Sequence, residues 1–294
     1  MRIIDGKKIS NQIKEEIKHE VQNIIYKGGK PPHLAAVLVG EAGASLTYVE
    51  SKVRSCEQVG FKSTLVKLPD NIKEKDLLSK IDELNDDKEI DGFIVQLPLP
   101  KHIDEEKILL AINPNKDVDG FHPTNFGKMA LNMKTFIPAT PFGIIELLKR
   151  YKIETSGKNT VVIGRSNIVG RPISILMNSK GNPGDSTVTV VHSRTVNLES
   201  YTKNADIIIS ALGIPGFVKK EMVKKGVVII DVGITRVKDS NFPKGYVIRG
   251  DVDFDSVKDK ASYITPVPGG VGPMTIAMLL KNTLLSKSLL KKNY

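Results

Sequence analysis

The sequence has little cysteine and few aromatic residues. Its 294 residues include one cysteine, Cys56, no tryptophan, and only 5% aromatic residues in total. A single cysteine excludes a disulfide within the chain, which agrees with a reducing compartment. No apolar run approaches the ~20 residues of a membrane-spanning helix, and the first residues, MRIIDGKKIS, lack the apolar stretch of a signal peptide. We therefore expect a cytoplasmic protein that makes no contact with a membrane.

Motifs for metals and nucleic acids are also missing. The five histidines show no H-x-x-x-H spacing, so the sequence predicts no metal site. No zinc-finger spacing or aromatic RNA-binding motif accompanies the net charge of +10. The positive charge is spread along the chain, and a phosphorylated cofactor or a polycarboxylate explains it as well as a nucleic acid does. We expect no nucleic-acid partner; steeply salt-dependent binding would reveal one.

The sequence does contain alternating patterns of strands and helices. The apolar stripe of Ile9, Ile13, Ile17 and Val21 predicts a first helix that ends at the glycines 28–29. Strands alternating with helices predict a parallel sheet covered by helices. The expected strands are 34–40, 63–69, 91–100, 160–164, 187–191, 206–210 and 227–233. Further helices are expected at 73–85, from Thr140, and at 273–290.

The length and order of these elements predict two α/β units. A soluble chain of 294 residues, 40% hydrophobic and 26% charged, is long enough for two domains. Thr140 and Pro141 suit the cap and the first position of a new helix, after which a second series of strands begins. The break between the two units is therefore expected within 139–160.

A glycine turn in the second half predicts a dinucleotide site. The segment VVIGRSNIVGRP (161–172) joins a strand to a helix, where a pyrophosphate can meet backbone N–H groups. Ser166 stands where G-x-G-x-x-G has its second glycine. The next strand ends in HSR (192–194), with no carboxylate for a ribose 2′-hydroxyl. With Arg165 at the turn, hydroxyl and cationic donors favour NADP over NAD, although exposed arginines are also common surface residues.

The segment TYVESKVRSC (47–56) presents a candidate catalytic lysine. Tyr48 and Lys52 are four residues apart and share one face of a helix. Ser45 is the expected cap of this helix and Gly60 its expected end. Considered alone, Lys52 is better explained as one of the many solvated lysines of this chain. The residues by themselves favour that interpretation and leave the catalytic one as an alternative.

Segments spread along the whole chain occur in the same order in one known family. They are YVESK (48–52), VQLPLP (95–100), NPNKDVDGFHPTNFGK (113–128), PATPFGIIELL (138–148), GRSNIVGRP (164–172), TVTVVHSRT (187–195) and TPVPGGVGPMT (265–275). Over essentially its full length the chain closely resembles the bifunctional methylenetetrahydrofolate dehydrogenase/cyclohydrolase family. The dense glycine and proline run PGGVGPMT is the most specific match. Arg54, Ala139 and Val191 depart from the usual residues, and none of them is assigned chemistry.

The resemblance implies two reactions and a domain plan. The reactions are NADP-dependent oxidation of 5,10-methylenetetrahydrofolate to 5,10-methenyltetrahydrofolate, and hydrolysis of that product to 10-formyltetrahydrofolate, in one-carbon metabolism linked to purine biosynthesis. A folate-binding and catalytic domain is expected at 1–139, completed by the C-terminal helix at 275–294. A Rossmann-like NADP-binding domain is expected at 140–274, with the active site in the cleft between the domains. A homodimer is also expected.

The resemblance also assigns site residues. Lys52 matches the catalytic lysine, Gln96 the residue that orients it, Tyr48 a ring that packs on folate, and Asp119 the carboxylate that binds the pterin; Asp117 is expected to be a loop or cap residue. The expected substrate-binding residues are Tyr48, Lys52, Val95, Gln96, Leu97, Asp119, Pro268, Gly269, Gly270, Val271 and Gly272. The expected cofactor-binding residues are Gly164, Arg165, Ser166, Ile168, Val169, Gly170, His192, Ser193, Thr195 and Ile234.

Three alternative functions explain the sequence less well. A dehydrogenase without cyclohydrolase activity would not need the full set of Tyr48, Lys52 and Gln96. A two-domain NADP dehydrogenase for a small carboxylate would not need the segments DVDGF (117–121) and PGGVGPMT (268–275). A formate ligase is excluded by the length and by the lack of a G-x-x-x-x-G-K-[ST] loop. The +10 charge further suggests that the folate substrate can carry a polyglutamate tail.

Overall fold

A computed structural model describes residues 1–40, 43–240, 242 and 245–290. Its strands are β1 Arg2–Ile3, β2 His33–Val39, β3 Lys62–Leu68, β4 Gly92–Val95, β5 Asn159–Ile163, β6 Thr187–Val191, β7 Ile207–Ser210, β8 Val228–Asp231, β9 Thr235–Lys238, β10 Tyr246–Arg249 and β11 Tyr263–Ile264. Its helices are α1 Gly6–Tyr26, α2 Gly43–Val59, α3 Glu74–Asp86, α4 Glu105–Ala111, α5 Pro123–Ala130, α6 Ala139–Arg150, α7 Gly170–Asn178, α8 Leu198–Thr202, α9 Phe254–Val257 and α10 Val271–Leu290, with a 3-10 turn at Lys220–Met222. The alternation confirms the α/β class. The final four residues of the predicted helix 275–294 lie outside the described residues.

The chain divides into two compact units. The 11–139 unit comprises Asn11–Ala139 with Ile276–Tyr294, and the 140–275 unit comprises Thr140–Thr275 with Met1–Ser10. The first residues join the latter because β1 pairs in parallel with β11, and because the backbone N–H of Lys7 donates to the carbonyl of Gly269 at 2.9 Å. The sequence pattern assigns residues 1–10 to the other unit, since a two-residue strand leaves no periodic signal.

The 11–139 unit is built on a three-stranded parallel sheet in the order β3-β2-β4. The central strand β2 is buried from Leu34 to Val39, and a strand buried in a parallel sheet reads as an unbroken apolar run. Helix α3 turns Leu77, Ile81 and Leu84 into the core, as the 3.6-residue period predicts. The predicted strands and helix of this unit are confirmed, although β4 ends at Val95, earlier than expected.

A loop runs beside β4 and is held by a buried lysine. The backbone N–H of Phe93 donates to the carbonyl of Lys116 at 2.9 Å, so the loop continues the edge of the sheet. The side chain of Lys116 is buried, and its Nζ donates to the carbonyls of Leu84 at 2.9 Å and Asp87 at 2.6 Å. Since these carbonyls lie at the end of α3, Lys116 satisfies groups that a helix terminus leaves unpaired. The loop is thereby fixed between β4 and α3.

The 140–275 unit contains a six-stranded sheet in the order β1-β11-β8-β7-β5-β6, parallel throughout. Register brings the carboxyl ends of neighbouring strands level: Ile163 of β5 lies opposite Val191 of β6 and Ser210 of β7, and Ser210 lies opposite Asp231 of β8. In open parallel sheets, ligands bind outside this edge. The antiparallel pair β9 and β10 is separate, and its two four-residue strands were not predicted.

Two helix starts differ from the sequence-based prediction. Helix α6 begins at Ala139, so Thr140 lies inside it; the Thr140 hydroxyl pairs with the Thr275 hydroxyl at 2.9 Å instead of capping the helix. Helix α10 begins at Val271, two residues before the expected Pro273. No helix within the described residues is both long enough and apolar enough to cross a membrane.

Candidate active site

Helix α2 carries the candidate lysine. It begins at Gly43, so the prediction that Ser45 caps it is wrong; Ser45 lies two residues inside. It ends at Val59, and Gly60 follows with a positive φ of 79°, which glycine adopts without steric cost. One turn beyond Lys52, the Cys56 side chain is fully buried, and burial raises the pKa of its thiol to about 12. An inert packed thiol agrees with the absence of any role for Cys56.

Lys52 contacts both Gln96 and Tyr48. The Lys52 side chain is 5% exposed, and its Nζ donates to Gln96 Oε1 at 3.1 Å. The same Nζ lies 4.8 Å from the centroid of the Tyr48 ring, within the range of a cation–π contact. Gln96 follows the end of β4, and its own Nε2 donates to the carbonyl of Leu97 at 2.6 Å. The amide is thus held with its oxygen towards the lysine.

Burial controls the charge of this lysine. Burial lowers the pKa of Lys52, while the charge of Asp119 opposes that shift. Burial also raises the pKa of Asp119, and the nearby Lys52 ammonium opposes that rise. Part of the Asp119 side chain reaches solvent, which limits the effect of burial on it. An amine whose pKa moves down from 10.5 has more of the neutral form that can accept a proton.

The titration of Lys52 is expected to depend on Asp119. Replacing Asp119 with Asn removes a negative charge that favours the ammonium, so the pKa of Lys52 should fall further. Carbon-13 labelling of lysine Cε, followed by NMR titration of the free protein, measures this pKa directly. In the control Glu57→Gln, an exposed carboxylate on the same helix is removed, and the Lys52 pKa should stay close to that of the unsubstituted protein. An unchanged or higher pKa in Asp119→Asn would contradict the coupling.

Asp117 organises the turn that follows Asp119. Its buried carboxylate accepts hydrogen bonds from the backbone N–H groups of Gly120, Phe121 and His122, and from Asn125 Nδ2 at 2.8 Å. Burial raises the pKa of Asp117 to about 7, and the bonds from Asn125 and His122 oppose the rise. As expected, Asp117 is a loop residue, and it leads the chain into α5.

The glycine turn after β5 has the expected strand–turn–helix context. Ser166 Oγ accepts from the backbone N–H groups of Val169 at 3.2 Å and Gly170 at 3.3 Å, which explains a serine in place of the second glycine. Helix α7 starts at Gly170, where an added Cβ would lie 2.7 Å from the carbonyl carbon of Gly164 and 2.8 Å from Arg165 Cα. The third glycine therefore permits close packing of helix on strand.

The turn after β6 is closed by its own side chains. The backbone N–H of His192 donates to Thr195 Oγ1 at 2.9 Å, and the N–H of Arg194 donates to His192 Nδ1 at 3.2 Å. Arg165, Ser193 and Arg194 are exposed, and this turn carries no carboxylate. Donors are therefore presented at the carboxyl edge of the sheet without an acid to repel a phosphate.

The glycine run before α10 packs against the first helix. Gly269 has a positive φ of 109°, and the Gly270 backbone passes so close to α1 that a Cβ on Gly6 would lie 2.6 Å from the Gly270 carbonyl carbon. A Cβ on Gly272 would lie 3.2 Å from Ile234 Cδ1. The run and the predicted cofactor residue Ile234 thus meet, and Ile234 is 60% exposed. Gly6, which the sequence-based prediction missed, is needed for this packing.

Two buried aspartates were also missed. Asp251 accepts from the backbone N–H groups of Leu212 at 2.6 Å and Ile214 at 2.9 Å, and Asp231 accepts from Gly233 and from Asp251 itself, both at 2.9 Å. Burial raises the pKa of Asp231 to about 6. These bonds fix the loops that follow β7 and β8. The only sequence signal is that Asp231 ends an apolar strand, β8.

Family models match both halves of the chain. Residues 4–119 match the catalytic domain of tetrahydrofolate dehydrogenase/cyclohydrolase, and residues 138–291 match the NAD(P)-binding domain of the same enzymes. The chain belongs to the tetrahydrofolate dehydrogenase/cyclohydrolase family. The predicted family and its two-domain α/β fold are therefore confirmed.

Individual members of the tetrahydrofolate dehydrogenase/cyclohydrolase family match over nearly full length. The bifunctional protein FolD of Flavobacterium johnsoniae is 72% identical over 98% of each chain. The crystal structure of FolD from Campylobacter jejuni is 48% identical, with a TM-score of 0.93 over 99% of each chain. FolD from Trypanosoma brucei, described in complex with NADP and an inhibitor, is 39% identical, with a TM-score of 0.92 over 98% of each chain. The chain is a bifunctional dehydrogenase and cyclohydrolase of folate one-carbon metabolism.

Proposed function

We propose that Lys52 is the proton-transfer group of the cyclohydrolase reaction. The observation that carries this proposal is the burial of Lys52 against Gln96 and Tyr48. The Lys52 amine accepts a proton from water as its oxygen bonds to the methenyl carbon. The resulting ammonium then gives this proton to the ring nitrogen, and the carbon–nitrogen bond breaks as the hydroxyl of the adduct loses its remaining proton to solvent and becomes the formyl carbonyl. 10-formyltetrahydrofolate is released together with that one proton, which balances the positive charge of the methenyl substrate. Both steps need one group able to take and give a proton at a fixed point.

The positive charge of the substrate favours the first step, in which Lys52 accepts a proton from water. The methenyl substrate is a cation, so its arrival beside Lys52 adds to the effect of burial and disfavours the ammonium form further. Gln96 Oε1 accepts one hydrogen of Lys52 Nζ and thereby fixes the direction of the other positions on that nitrogen, including the lone pair of the neutral amine. Because the Gln96 amide is anchored to the Leu97 carbonyl, it holds this orientation without help from the substrate. The lysine is thus oriented before folate binds.

The residues proposed to bind the substrate include Asp119, which follows the loop 115–118, and residues at the end of β4. We propose that Asp119 accepts hydrogen bonds from the pterin amide and amino group, for which two parallel oxygens are suited. In addition, Tyr48 packs on folate, and the backbone at Val95, Leu97 and 268–272 approaches it. Lys116 and Asp117, which both precede Asp119 in the chain, support it, since each fixes the loop through several hydrogen bonds.

For the dehydrogenase reaction we propose NADP as the cofactor. NADP, when bound, accepts the hydride from the methylene carbon. The residues that would hold it are Gly164, Arg165, Ser166, Ile168, Val169, Gly170, His192, Ser193, Thr195 and Ile234. The backbone N–H groups at the start of α7 suit a pyrophosphate, and the acid-free turn 192–195 suits a 2′-phosphate. A KM for NAD equal to that for NADP would contradict this preference.

The role of Gln96 is tested by Gln96→Leu, which keeps the volume and removes the acceptor. We expect the rate of methenyltetrahydrofolate hydrolysis to fall by about ten- to hundredfold, because the lysine loses its fixed direction. The control is Gln58→Leu, since Gln58 accepts from a different lysine, Lys14, at 3.4 Å. Hydrolysis at the unsubstituted rate in Gln96→Leu would reject the orienting role.

We also propose the cellular context. The protein is expected to be a cytoplasmic homodimer that supplies 10-formyltetrahydrofolate for purine biosynthesis and accepts polyglutamylated folate. The net charge of +10 supports the last point, since a polyglutamate tail is polyanionic. Sedimentation equilibrium tests the dimer, and a single species of 32.3 kDa would reject it. Equal affinity for mono- and polyglutamylated folate at low salt would reject the role of charge.

A further inference from the structure

A buried amide on the C-terminal helix bonds to the loop that carries Asp119. Asn282 of α10 is 1% exposed, and its Nδ2 donates to the carbonyls of Val118 at 2.8 Å and Ile137 at 2.9 Å. Its Oδ1 has no hydrogen-bond partner among the described residues. A buried acceptor without a partner is costly, and an aliphatic side chain would avoid the cost. The two donated bonds are therefore what this position gains from asparagine.

The carbonyls of Val118 and Ile137 belong to two segments whose backbones are in contact. An added Cβ on Gly120 would lie 2.8 Å from the carbonyl carbon of Ile137 and 2.8 Å from the nitrogen of Pro138, so the loop passes this segment backbone to backbone. Within the described residues, no backbone hydrogen bond joins the two segments. Both hydrogens of the Asn282 amide are thus used to tie the loop to its neighbour.

The Val118 carbonyl is the group next to Asp119. Because the peptide unit is planar, fixing this carbonyl fixes the plane that leads into Asp119 and, with it, the position of the Asp119 Cα from which the side chain projects. Farther along the same helix, Ser286 Oγ donates to the carbonyl of Asp91, and the carbonyl of Asn115 lies 3.4 Å from the same oxygen. Helix α10 therefore lies against both ends of the loop 115–118, and Asn282 holds the end nearer to Asp119.

We propose that Asn282 is a positioning residue for Asp119 and, through it, for the folate substrate. This inference rests on the role of Asp119 given under Proposed function. One nitrogen with two hydrogens bridges two carbonyls, which neither a hydroxyl nor a carboxylate can do. Asn282 touches no substrate atom; it positions the backbone that carries the Asp119 carboxylate, which is proposed to bind the pterin.

The test compares two variants of adjacent buried residues on α10. Asn282→Leu keeps the volume and removes both donors; Thr283→Val is the control, because the Thr283 hydroxyl donates only to Leu279 of its own helix at 2.9 Å. We expect Asn282→Leu to raise the KM for methenyltetrahydrofolate by about tenfold or more, with the KM for NADP unchanged, since misplaced groups lose substrate binding. Thr283→Val should leave both KM values unchanged. Equal changes in both KM values of Asn282→Leu, or a loss of thermal stability alone, would overturn the inference.

A second variant covers the case in which Asn282→Leu fails to fold. Asn282→Ser retains one donor, so it should give a smaller rise in the folate KM, again without a change in the KM for NADP. A rise in the NADP KM equal to the folate rise would count against positioning.

A double-mutant cycle with Asp119→Asn separates this inference from the role of Asp119. If Asn282 acts through Asp119, then Asn282→Leu raises the folate KM no further in the Asp119→Asn background. Independent effects that multiply would overturn the inference. If Asp119→Asn alone leaves the folate KM unchanged, the proposed role of Asp119 is wrong, and the inference falls with it. If Asp119→Asn raises the KM and Asn282→Leu does not, only the inference is wrong.

Discussion

Replacing Lys52 with methionine is expected to abolish hydrolysis of methenyltetrahydrofolate while folate binding and part of the NADP-dependent oxidation survive. Methionine is unbranched and apolar, so it fits a site where the lysine side chain is only 5% exposed. Water addition and ring opening lose their proton carrier, and such groups contribute ~100- to 10,000-fold to rates. Hydride transfer needs mainly orientation, so it should lose less. Two assays, one of NADPH formation and one of hydrolysis of added methenyltetrahydrofolate, measure the two effects.

The chain offers a matched control for this experiment. As with Lys52, burial lowers the pKa of Lys14, although Lys14 is only half-buried. Its Nζ donates to Ser55 Oγ at 3.1 Å. It lies outside the group formed by Lys52, Gln96 and Tyr48, so Lys14→Met should hydrolyse at close to the unsubstituted rate. If Lys52→Met also hydrolyses at that rate, Lys52 is a packed helix lysine and the proposed mechanism is wrong.

Replacing Gly170 with alanine is expected to produce the opposite pattern, with the NADP-dependent reaction lost and hydrolysis retained. The new Cβ would lie 2.7 Å from the carbonyl carbon of Gly164 and 2.8 Å from Arg165 Cα. Since these are backbone atoms, no side chain can rotate away, and the turn must shift away from α7. A displacement of about 1 Å costs on the order of 100-fold where geometry matters. The KM for NADP and the rate of NADPH formation measure the loss.

Gly127→Ala is the control for the added methyl group. Gly127 lies in α5, and a Cβ there meets nothing within 4 Å. Alanine should leave both activities unchanged and raise helix stability slightly, by up to about 1 kcal/mol. Should Gly170→Ala keep its affinity for NADP, the turn 164–170 would not be the cofactor site.

Elements whose signal lies within the element itself were predictable from the sequence. Strand β2 is buried along nearly its full length and therefore reads as an apolar run, and α3 shows its buried face in the spacing of Leu77, Ile81 and Leu84. The glycine turn before α7 was predictable because close packing there demands Gly170. In each case, one local requirement determines the residue type.

Elements that depend on a distant partner were not predictable. Strand β1 has two residues and exists because β11 pairs with it, and β9 and β10 have four residues each and are held by pairing with one another. The caps expected at Ser45 and Thr140 were wrong because each helix begins one or two residues earlier.

The candidate site shows the same division between local and distant requirements. Helical spacing predicts that Tyr48 and Lys52 share a face, but the burial that lowers the pKa of Lys52 depends on the tertiary structure. Gln96 was assigned through the family resemblance, and its 3.1 Å contact with Lys52 joins residues 44 positions apart. Asn282 looks like an ordinary polar residue in a helix, because its two acceptors lie 145 and 164 residues away.

The arrangement of the chain in its two units bears on protein synthesis. Neither unit is a continuous stretch of polypeptide: the chain passes from one to the other near residues 10, 139 and 275, each time within α1, α6 or α10. The 140–275 unit needs β11 to bind the β1 strand, which is translated before residues 11–139. The 11–139 unit needs Asn282 and Ser286, which are translated after residues 140–275. Each unit is therefore completed only after a part of the other has been made, and no single cut in the gene separates them.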